Sequence, residues 1–203
     1  MDALRRVPFE TLARSCAAFS AAHKIGEGAT GEVFRGRLAG ADVALKRLRL
    51  PESATPAARA ALVRAFNAEL ATLSAYRHVR LVRLLAYARD EDAASRHPFV
   101  LVFELLEEGS LADHLRGPGG EPARLAPLTP LERIDAALGA AAGLAYLHGL
   151  RCATSGAGAA ASAAPVLHRD VKSANIGLVR IGGALYTKVM DCGLARALGY
   201  MAP

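Results

Sequence analysis

The segment GEGATG, from Gly26 to Gly31, constrains the fold of this chain more than any other. A glycine turn that leads from a strand into a helix is typical of dinucleotide-binding folds. Here the residues that follow, EVFRGRL, alternate with the period of a strand, so the turn joins two strands. Glycine leaves the backbone N–H groups of such a hairpin open to phosphates. The segment therefore predicts an antiparallel hairpin that could hold a phosphate group.

The first half of the chain is predicted to be mainly β-structure. The segments KIGEG, GEVFRGRL and DVALKRLRL predict three antiparallel strands, and LVRLLAYAR and HPFVLVFEL predict two more. Thr55 and Pro56 suit the N-cap and first residue of one intervening helix. Residues 1–23 are predicted to form a short helical or irregular lead-in. Its apolar anchors are Phe9, Leu12 and Phe19.

The second half is predicted to be more helical. Ser110 and Asp113 have the spacing of a short capping box. Thr129 and Glu132 form a full capping box for a helix that ends before Gly149. Residues 116–127 predict a Gly/Pro loop, and residues 153–164 a low-complexity insertion. Loops and short strands are expected after it.

Composition limits the class of protein. The 203 residues are 52% hydrophobic and 22% charged, which is enough for a buried core and argues against wholesale disorder. The net charge of +6 would suit nucleic acid, but the Lys and Arg residues are scattered without a basic run. A nucleic-acid binder is therefore a hypothesis that rests on charge alone, and no nucleic-acid partner is expected.

Cysteine usage and hydropathy suggest a compartment. The three cysteines are far apart, which indicates neither a metal site nor a disulfide framework and favours a reducing compartment. The N-terminus lacks the apolar region of a secretory signal, and the most apolar stretch, AALGAAAGLAYL, is too short to span a bilayer. We expect a cytoplasmic protein that reaches membranes only through its partners.

Two sequence positions suggest a cation held beside a flat base. In VALK, strand periodicity places Ala44 and Lys46 on one face and Val43 and Leu45 on the other. A lone lysine most often faces solvent, but a small residue next to a cation also suits a nucleotide. Glu69 lies at the edge of the apolar stripe of the predicted helix, from which it could pair with Lys46.

The string HRDVKSAN carries the strongest chemical signal. It places Asp170, Lys172 and Asn175 close together in a loop. A carboxylate can accept a hydroxyl proton, an ammonium can neutralise a phosphoryl group, and an amide oxygen can bind Mg²⁺. Asp191, beyond the next two predicted strands, would supply a second metal ligand.

These motifs occur in the order typical of one family: a glycine loop, a strand lysine, a helix glutamate, HRD-x-x-x-x-N and a DxG turn. The chain resembles a eukaryotic protein kinase. The segments LLEEGSLADHL, GLAYLH, HRDVKSANI and GYMAP are similar to plant receptor-like and Pelle-type kinases. Lys172 in HRDVK resembles serine/threonine kinases rather than tyrosine kinases.

The resemblance implies an α+β, bilobal kinase fold: a lead-in at 1–23, a β-rich N-lobe with one main helix at 24–107 and a partial helical C-lobe at 108–203. It also implies an ATP site. The residues implied to contact ATP are Ile25, Gly26, Glu27, Gly28, Gly31, Val33, Ala44, Lys46, Phe103 and Leu106. Among them the glycines would cover the phosphates, Phe103 would be the gatekeeper, and Leu106 would present backbone groups to adenine.

The resemblance also implies catalytic roles. Asp170 would orient or deprotonate the substrate hydroxyl, and Lys172 would stabilise the transferred group. Lys46, steadied by Glu69, would bind the α- and β-phosphates. Asn175 and Asp191 would hold Mg²⁺. The implied cofactors are ATP and Mg²⁺, and the implied partner is a protein with serine or threonine hydroxyls.

Five departures from the family pattern leave an alternative open. Only LARAL separates the DxG turn from GYMAP, the chain ends at Pro203 before further helices, and Cys192 replaces a phenylalanine. Gly177 replaces a large residue under the adenine, which would cost about 1–2 kcal/mol of binding, and an insertion precedes His168. The expected function is a serine/threonine kinase, and the alternative is a non-catalytic, pseudokinase-like fragment that binds a nucleotide or a partner.

Overall fold

The computed structural model describes residues 4–28, 31–50, 55–92, 95–115, 122–149, 151–152, 164–191 and 196–197. They fall into two compact units. The first contains residues 1–74 and 83–105, and the second contains 75–82 and 106–203. The domain boundaries predicted above, at 23/24 and 107/108, stay predictions.

The first unit is a sheet with two helices. Its helices are α1 (Phe9–Ser15) and α2 (Pro56–Ala75). Its strands are β1 (Arg5–Arg6), β2 (Lys24–Gly28), β3 (Gly31–Leu38), β4 (Ala41–Leu48), β5 (Leu84–Arg89) and β6 (Phe99–Glu104). They form one six-stranded sheet in the order β1-β5-β6-β4-β3-β2. Only β1 pairs in parallel, with β5, and this short strand has no periodicity by which it could have been predicted.

The two faces of this sheet pack against different parts of the chain. Val43 and Leu45 are buried on one face in a cluster that includes Leu12 of α1. On the other face Phe66 of α2 stacks on Phe99 of β6, with the ring centroids 4.2 Å apart. Since Phe99 is paired with Leu48 of β4, α2 lies on the face that carries the even-numbered residues of β4. The predicted alternation of β4 is therefore confirmed.

The turn between β3 and β4 holds an alanine in a left-handed conformation. Ala39 and Gly40 have φ values of 50° and 85°. Asparagine tolerates this region better than alanine does. We expect Ala39→Asn to raise the free energy of unfolding by about 0.5–1 kcal/mol, measured by urea denaturation. Ala39→Val is the control, because a β-branched residue should lower it, and equal values for the three proteins would contradict the prediction.

The second unit combines one long helix with short strands. The helix is α3 (Pro130–Gly149). The strands are β7 (Arg151–Cys152), β8 (Ala164–Leu167), β9 (Ile176–Ile181), β10 (Ala184–Val189) and β11 (Arg196–Ala197). Strands β9 and β10 form an antiparallel hairpin, and β11, β8 and β7 form a second sheet. Single 3₁₀ turns lie at Leu111–His114 and Ser173–Asn175.

Helix α3 begins where its sequence predicts, and it includes Gly149 rather than ending before it. The backbone N–H and hydroxyl of Thr129 both donate to Glu132 Oε2 at 2.9 Å, which confirms the capping box. Gly139 and Gly143 are buried against β10: a Cβ at Gly139 would lie 2.7 Å from Cβ of Thr187. The small residues of α3 therefore allow its close approach to the β9–β10 hairpin.

Both halves have the elements expected of them, and the α+β class is confirmed. The lead-in contains the predicted helix, and its anchors Leu12 and Phe19 are buried. Cys16 is also buried, and burial raises the pKa of its thiol. Residues 153–163 of the predicted insertion lie outside the described residues.

Candidate active site

The loop after β8 is anchored by His168, which is only 2% exposed. The backbone N–H of Asp170 donates to His168 Nδ1 at 3.3 Å. The ring proton therefore lies on Nε2, which donates to the carbonyl oxygen of Met190 at 2.8 Å. The imidazole thus ties the loop to the end of β10. No sequence pattern indicated a role for His168, because the contacts that bury it join residues distant along the chain.

Asp170 is held by two neighbours from its own loop. Lys172 Nζ lies 2.8 Å from Asp170 Oδ2, and Asn175 Nδ2 donates to the same oxygen at 2.9 Å. Asn175 Nδ2 also donates to the Asp170 carbonyl at 2.8 Å. The ammonium of Lys172, followed by the Asn175 amide, holds the pKa of Asp170 below its usual range. The carboxylate is therefore ionised at neutral pH, and Oδ1 takes part in neither of these bonds.

The β9–β10 pairing brings the residue before Asp191 into contact with Asn175. Ile176 pairs with Val189, and the N–H of Met190 donates to the Asn175 carbonyl at 2.9 Å. Asp191 is the next residue, and its φ of 57° turns the chain there. Because Asn175 turns its amide nitrogen toward Asp170, its Oδ1 points away from Asp170.

An amide oxygen and a carboxylate are ligands suited to Mg²⁺. These residues therefore fit the divalent metal that the resemblance implies. Among the residues that the structure describes, no group of three or more His, Cys, Asp or Glu forms a further metal site.

The position of Gly177 is filled by its neighbours. It is buried, and a Cβ there would collide with Cδ1 of Leu106 and lie 2.8 Å from Sδ of Met190. The carbonyl of Leu106 accepts a hydrogen bond from Gly109 N–H at 3.1 Å. Leu106 and Met190 therefore occupy the space beside Gly177, and the loss of nucleotide affinity expected from this glycine stays a prediction.

This packing gives a prediction. Gly177→Leu, which restores the side-chain size usual in the resembled family, should destabilise the protein by about 1–3 kcal/mol through overpacking. It should also leave nucleotide affinity unimproved. Thermal unfolding and nucleotide titration would measure both effects. Ile181→Leu is the control, because this residue of the same strand is 56% exposed. Tighter nucleotide binding by a stable Gly177→Leu variant would contradict the prediction.

The glycines of the β2–β3 hairpin differ in their surroundings. Gly26 pairs with Val33, and Gly28 pairs with Gly31. A Cβ on Gly31 would collide with the carbonyl of Arg47, whereas a Cβ on Gly28 would meet nothing within 4 Å. The sheet therefore requires glycine at 31, whereas at 28 no neighbour among the described residues would exclude a side chain.

Of the other nucleotide candidates of the first unit, Val33, Ala44, Lys46 and Phe103 share one sheet face, whereas Glu27, the cross-strand partner of Glu32, lies on the opposite face. Val33 and Leu101 are the cross-strand partners of Lys46, and Phe103 is that of Ala44. Ile25 on β2 is 47% exposed, and Glu27 on the same strand pairs with Glu32.

Glu69 belongs to α2, the helix on the same sheet face as Lys46, but its side chain lies outside the described residues. Its pairing with Lys46 stays a prediction. Cys192 and the GYMAP segment also lie outside the described residues.

The predicted residues thus form two groups. The second unit brings Asp170, Lys172 and Asn175 into direct contact and places Asp191 next to Met190, which bonds to Asn175. The first unit places the glycine hairpin beside the strand that bears Lys46. A carboxylate held by a lysine and an amide can orient a hydroxyl and accept its proton.

Comparisons with known proteins agree with the resemblance. The protein kinase domain family matches residues 19–202. A probable receptor-like protein kinase of Arabidopsis thaliana is 36% identical over 192 residues, which is 94% of this chain and 19% of that protein. A leucine-rich repeat receptor protein kinase of Oryza sativa subsp. japonica is 38% identical over 194 residues, 95% of this chain and 12% of that protein.

A third relative is a calmodulin-binding receptor-like cytoplasmic kinase of Arabidopsis thaliana. It is 34% identical over 189 residues, 93% of this chain and 34% of that protein. This chain therefore spans between 12% and 34% of the length of these three relatives.

Proposed function

The chain belongs to the protein kinase family, and on this premise we propose that it transfers the γ-phosphoryl group of Mg·ATP to serine or threonine hydroxyls of proteins. The observation that carries the proposal is the geometry of Asp170. Lys172 and Asn175 both bind Oδ2 of this ionised carboxylate. Oδ1 is thereby left to accept a hydrogen bond from a substrate hydroxyl.

The roles of the residues follow from their chemistry. Asp170 orients the hydroxyl and takes its proton as the oxygen–phosphorus bond forms and the bond to the ADP oxygen breaks. The Lys172 ammonium, 2.8 Å from Asp170, stabilises the negative charge on the transferred group. Asn175 and Asp191 would hold Mg²⁺, which when bound neutralises the phosphate charge.

The first unit supplies the proposed nucleotide contacts other than that of Leu106, which belongs to the second unit. The N–H groups of Gly26, Gly28 and Gly31 approach the phosphates, and Lys46 binds them as a cation. Apolar groups on the same strands and on β6 would contact the base. These are Ile25, Val33, Ala44 and Phe103. The N–H of Leu106 would bind the adenine edge, since no hydrogen bond occupies it within the described residues.

The location proposed is the cytoplasm. One relative is named a receptor-like cytoplasmic kinase, and the cysteines suit a reducing compartment. Among the helices that the structure describes, none has the length and apolar character needed to cross a bilayer.

Phosphoryl transfer from γ-labelled ATP to a mixture of unfolded proteins would test the proposal. We expect labelling that requires Mg²⁺, with the label recovered as phosphoserine and phosphothreonine after acid hydrolysis. Label only on tyrosine would overturn the specificity. ATP binding without any transfer would favour the non-catalytic alternative, for which the short LARAL segment after the DxG turn is the supporting observation.

A further inference from the structure

Arg47 follows Lys46 on β4, and its side chain lies on the opposite face of the sheet. There Arg47 Nη2 lies 2.8 Å from Glu32 Oε2, on the neighbouring strand β3. Glu32 and Arg47 are direct cross-strand partners, as are Val33 and Lys46. Val33 and Lys46 face the proposed nucleotide. On each strand the directly adjacent residue, Glu32 on β3 and Arg47 on β4, belongs to the ion pair on the opposite face.

The guanidinium of Arg47 is also enclosed by two aromatic rings. It lies 4.6 Å from the ring centroid of Phe19 and 5.0 Å from that of Phe34. Both distances are within the range of cation–π attraction. The two rings meet edge to face, with their centroids 5.3 Å apart. Arg47 thus joins the lead-in, through Phe19, to the back of β3 and β4.

Glu32 extends this contact to the glycine hairpin. Its Oε1 lies 2.9 Å from Lys24 Nζ, which in turn lies 2.6 Å from Glu27 Oε2. Glu27 and Glu32 are cross-strand partners on either side of the glycines, and two carboxylates opposite each other repel. Lys24 and Arg47 offset this repulsion, and hydrogen bonds from Arg47 and then Lys24 lower the pKa of Glu32 to about 2.

Stability of the sheet does not by itself explain an arginine here. Arg47 Nε is buried and has no hydrogen-bond partner among the described residues. A buried N–H without a partner costs stability, typically about 1–3 kcal/mol. An apolar residue between Phe19 and Phe34 would avoid this cost, whereas only a planar cation can stack on both rings and also hold Glu32.

We propose that Arg47, with Glu32, is a positioning residue that couples the docked lead-in to the geometry of the nucleotide hairpin. This inference rests on the proposed function, because its consequence is nucleotide affinity. Arg47 does not touch the nucleotide. It holds β3 at the position from which the glycine hairpin and Val33 face the ligand.

The test compares Arg47→Met and Glu32→Gln with wild type in the full chain. We expect both variants to stay folded and to bind Mg·ATP about tenfold more weakly. The backbone amide hydrogens of residues 24–28 and 31–33 should exchange with solvent about tenfold faster than in wild type. Amide exchange in α3 should not change. Arg37→Met is the matched control, because Arg37 is an exposed arginine near the far end of the neighbouring strand β3.

Phe19→Leu supplies a second, independent variant, because it keeps the apolar packing and removes the aromatic face. It should weaken ATP binding in the same direction, and adding Arg47→Met should then have less effect than in wild type. Wild-type affinity and wild-type hairpin exchange in a folded Arg47→Met or Phe19→Leu protein would overturn the inference. If the wild-type chain binds no ATP, the proposed function fails. The rate of amide hydrogen exchange in the β2–β3 hairpin then decides by itself whether Arg47 positions the hairpin.

Discussion

Replacing Asp170 with asparagine is expected to lower the rate of phosphoryl transfer by about 10²–10⁴-fold, the usual contribution of a positioned general base. The asparagine oxygen can still accept from Lys172 and Asn175, whose donors lie 2.8 and 2.9 Å from Oδ2. The loop should therefore keep its shape, and the melting temperature should change little. The amide, however, cannot take the hydroxyl proton. Initial rates at saturating Mg·ATP would measure the loss.

The matched control for Asp170→Asn is Asp135→Asn. Asp135 is exposed on α3 and has no place in the proposed site. This control should retain the wild-type rate. If Asp170→Asn kept the wild-type rate too, Asp170 would not be the base. An equal loss of activity in both variants would point to general destabilisation.

A methyl group on Gly31 is expected to destabilise the first unit by about 3 kcal/mol. A Cβ at this position would collide with the Arg47 carbonyl oxygen and lie 3.1 Å from the Leu48 Cα. These are backbone atoms of a central strand, so they cannot turn aside as a side chain could. Gly31→Ala should therefore force β3 and β4 apart, and the midpoint of thermal unfolding should fall.

The control lies in the same motif. Gly28→Ala adds a methyl group where nothing lies within 4 Å, so the unfolding midpoint should match that of wild type. Because the proposed role of Gly28 is to admit the phosphates, Gly28→Ala should instead weaken ATP binding. Equal stability losses in the two variants would show that the two glycines have the same structural task.

Local patterns in the sequence predicted most of the secondary structure. The capping boxes at Ser110 and Thr129 occur as expected, because a cap joins residues three positions apart. The alternation of β4 placed Lys46 and Leu45 on opposite faces for the same reason. The HRDVKSAN string brought Asp170, Lys172 and Asn175 together because all three lie on one short loop.

Tertiary contacts decided what such patterns could not. Gly28 and Gly31 are both glycines of one motif, so the sequence does not distinguish them. Only the structure shows that the backbone of β4 leaves no room for a Cβ at Gly31, whereas a Cβ at Gly28 would meet nothing within 4 Å. The filling of space at Gly177 depends on Leu106 and Met190, which are distant along the chain.

In the sequence nothing distinguishes Arg47 from any other strand arginine. The structure places Phe19 and Glu32 in contact with its guanidinium. The sequence by itself determined the longer strands, the helix caps and the composition of the loop that contains Asp170, because periodicity and capping act between near neighbours. Which glycine the fold requires, and which arginine supports the hairpin, depended on the tertiary structure, since those contacts join residues far apart in the chain.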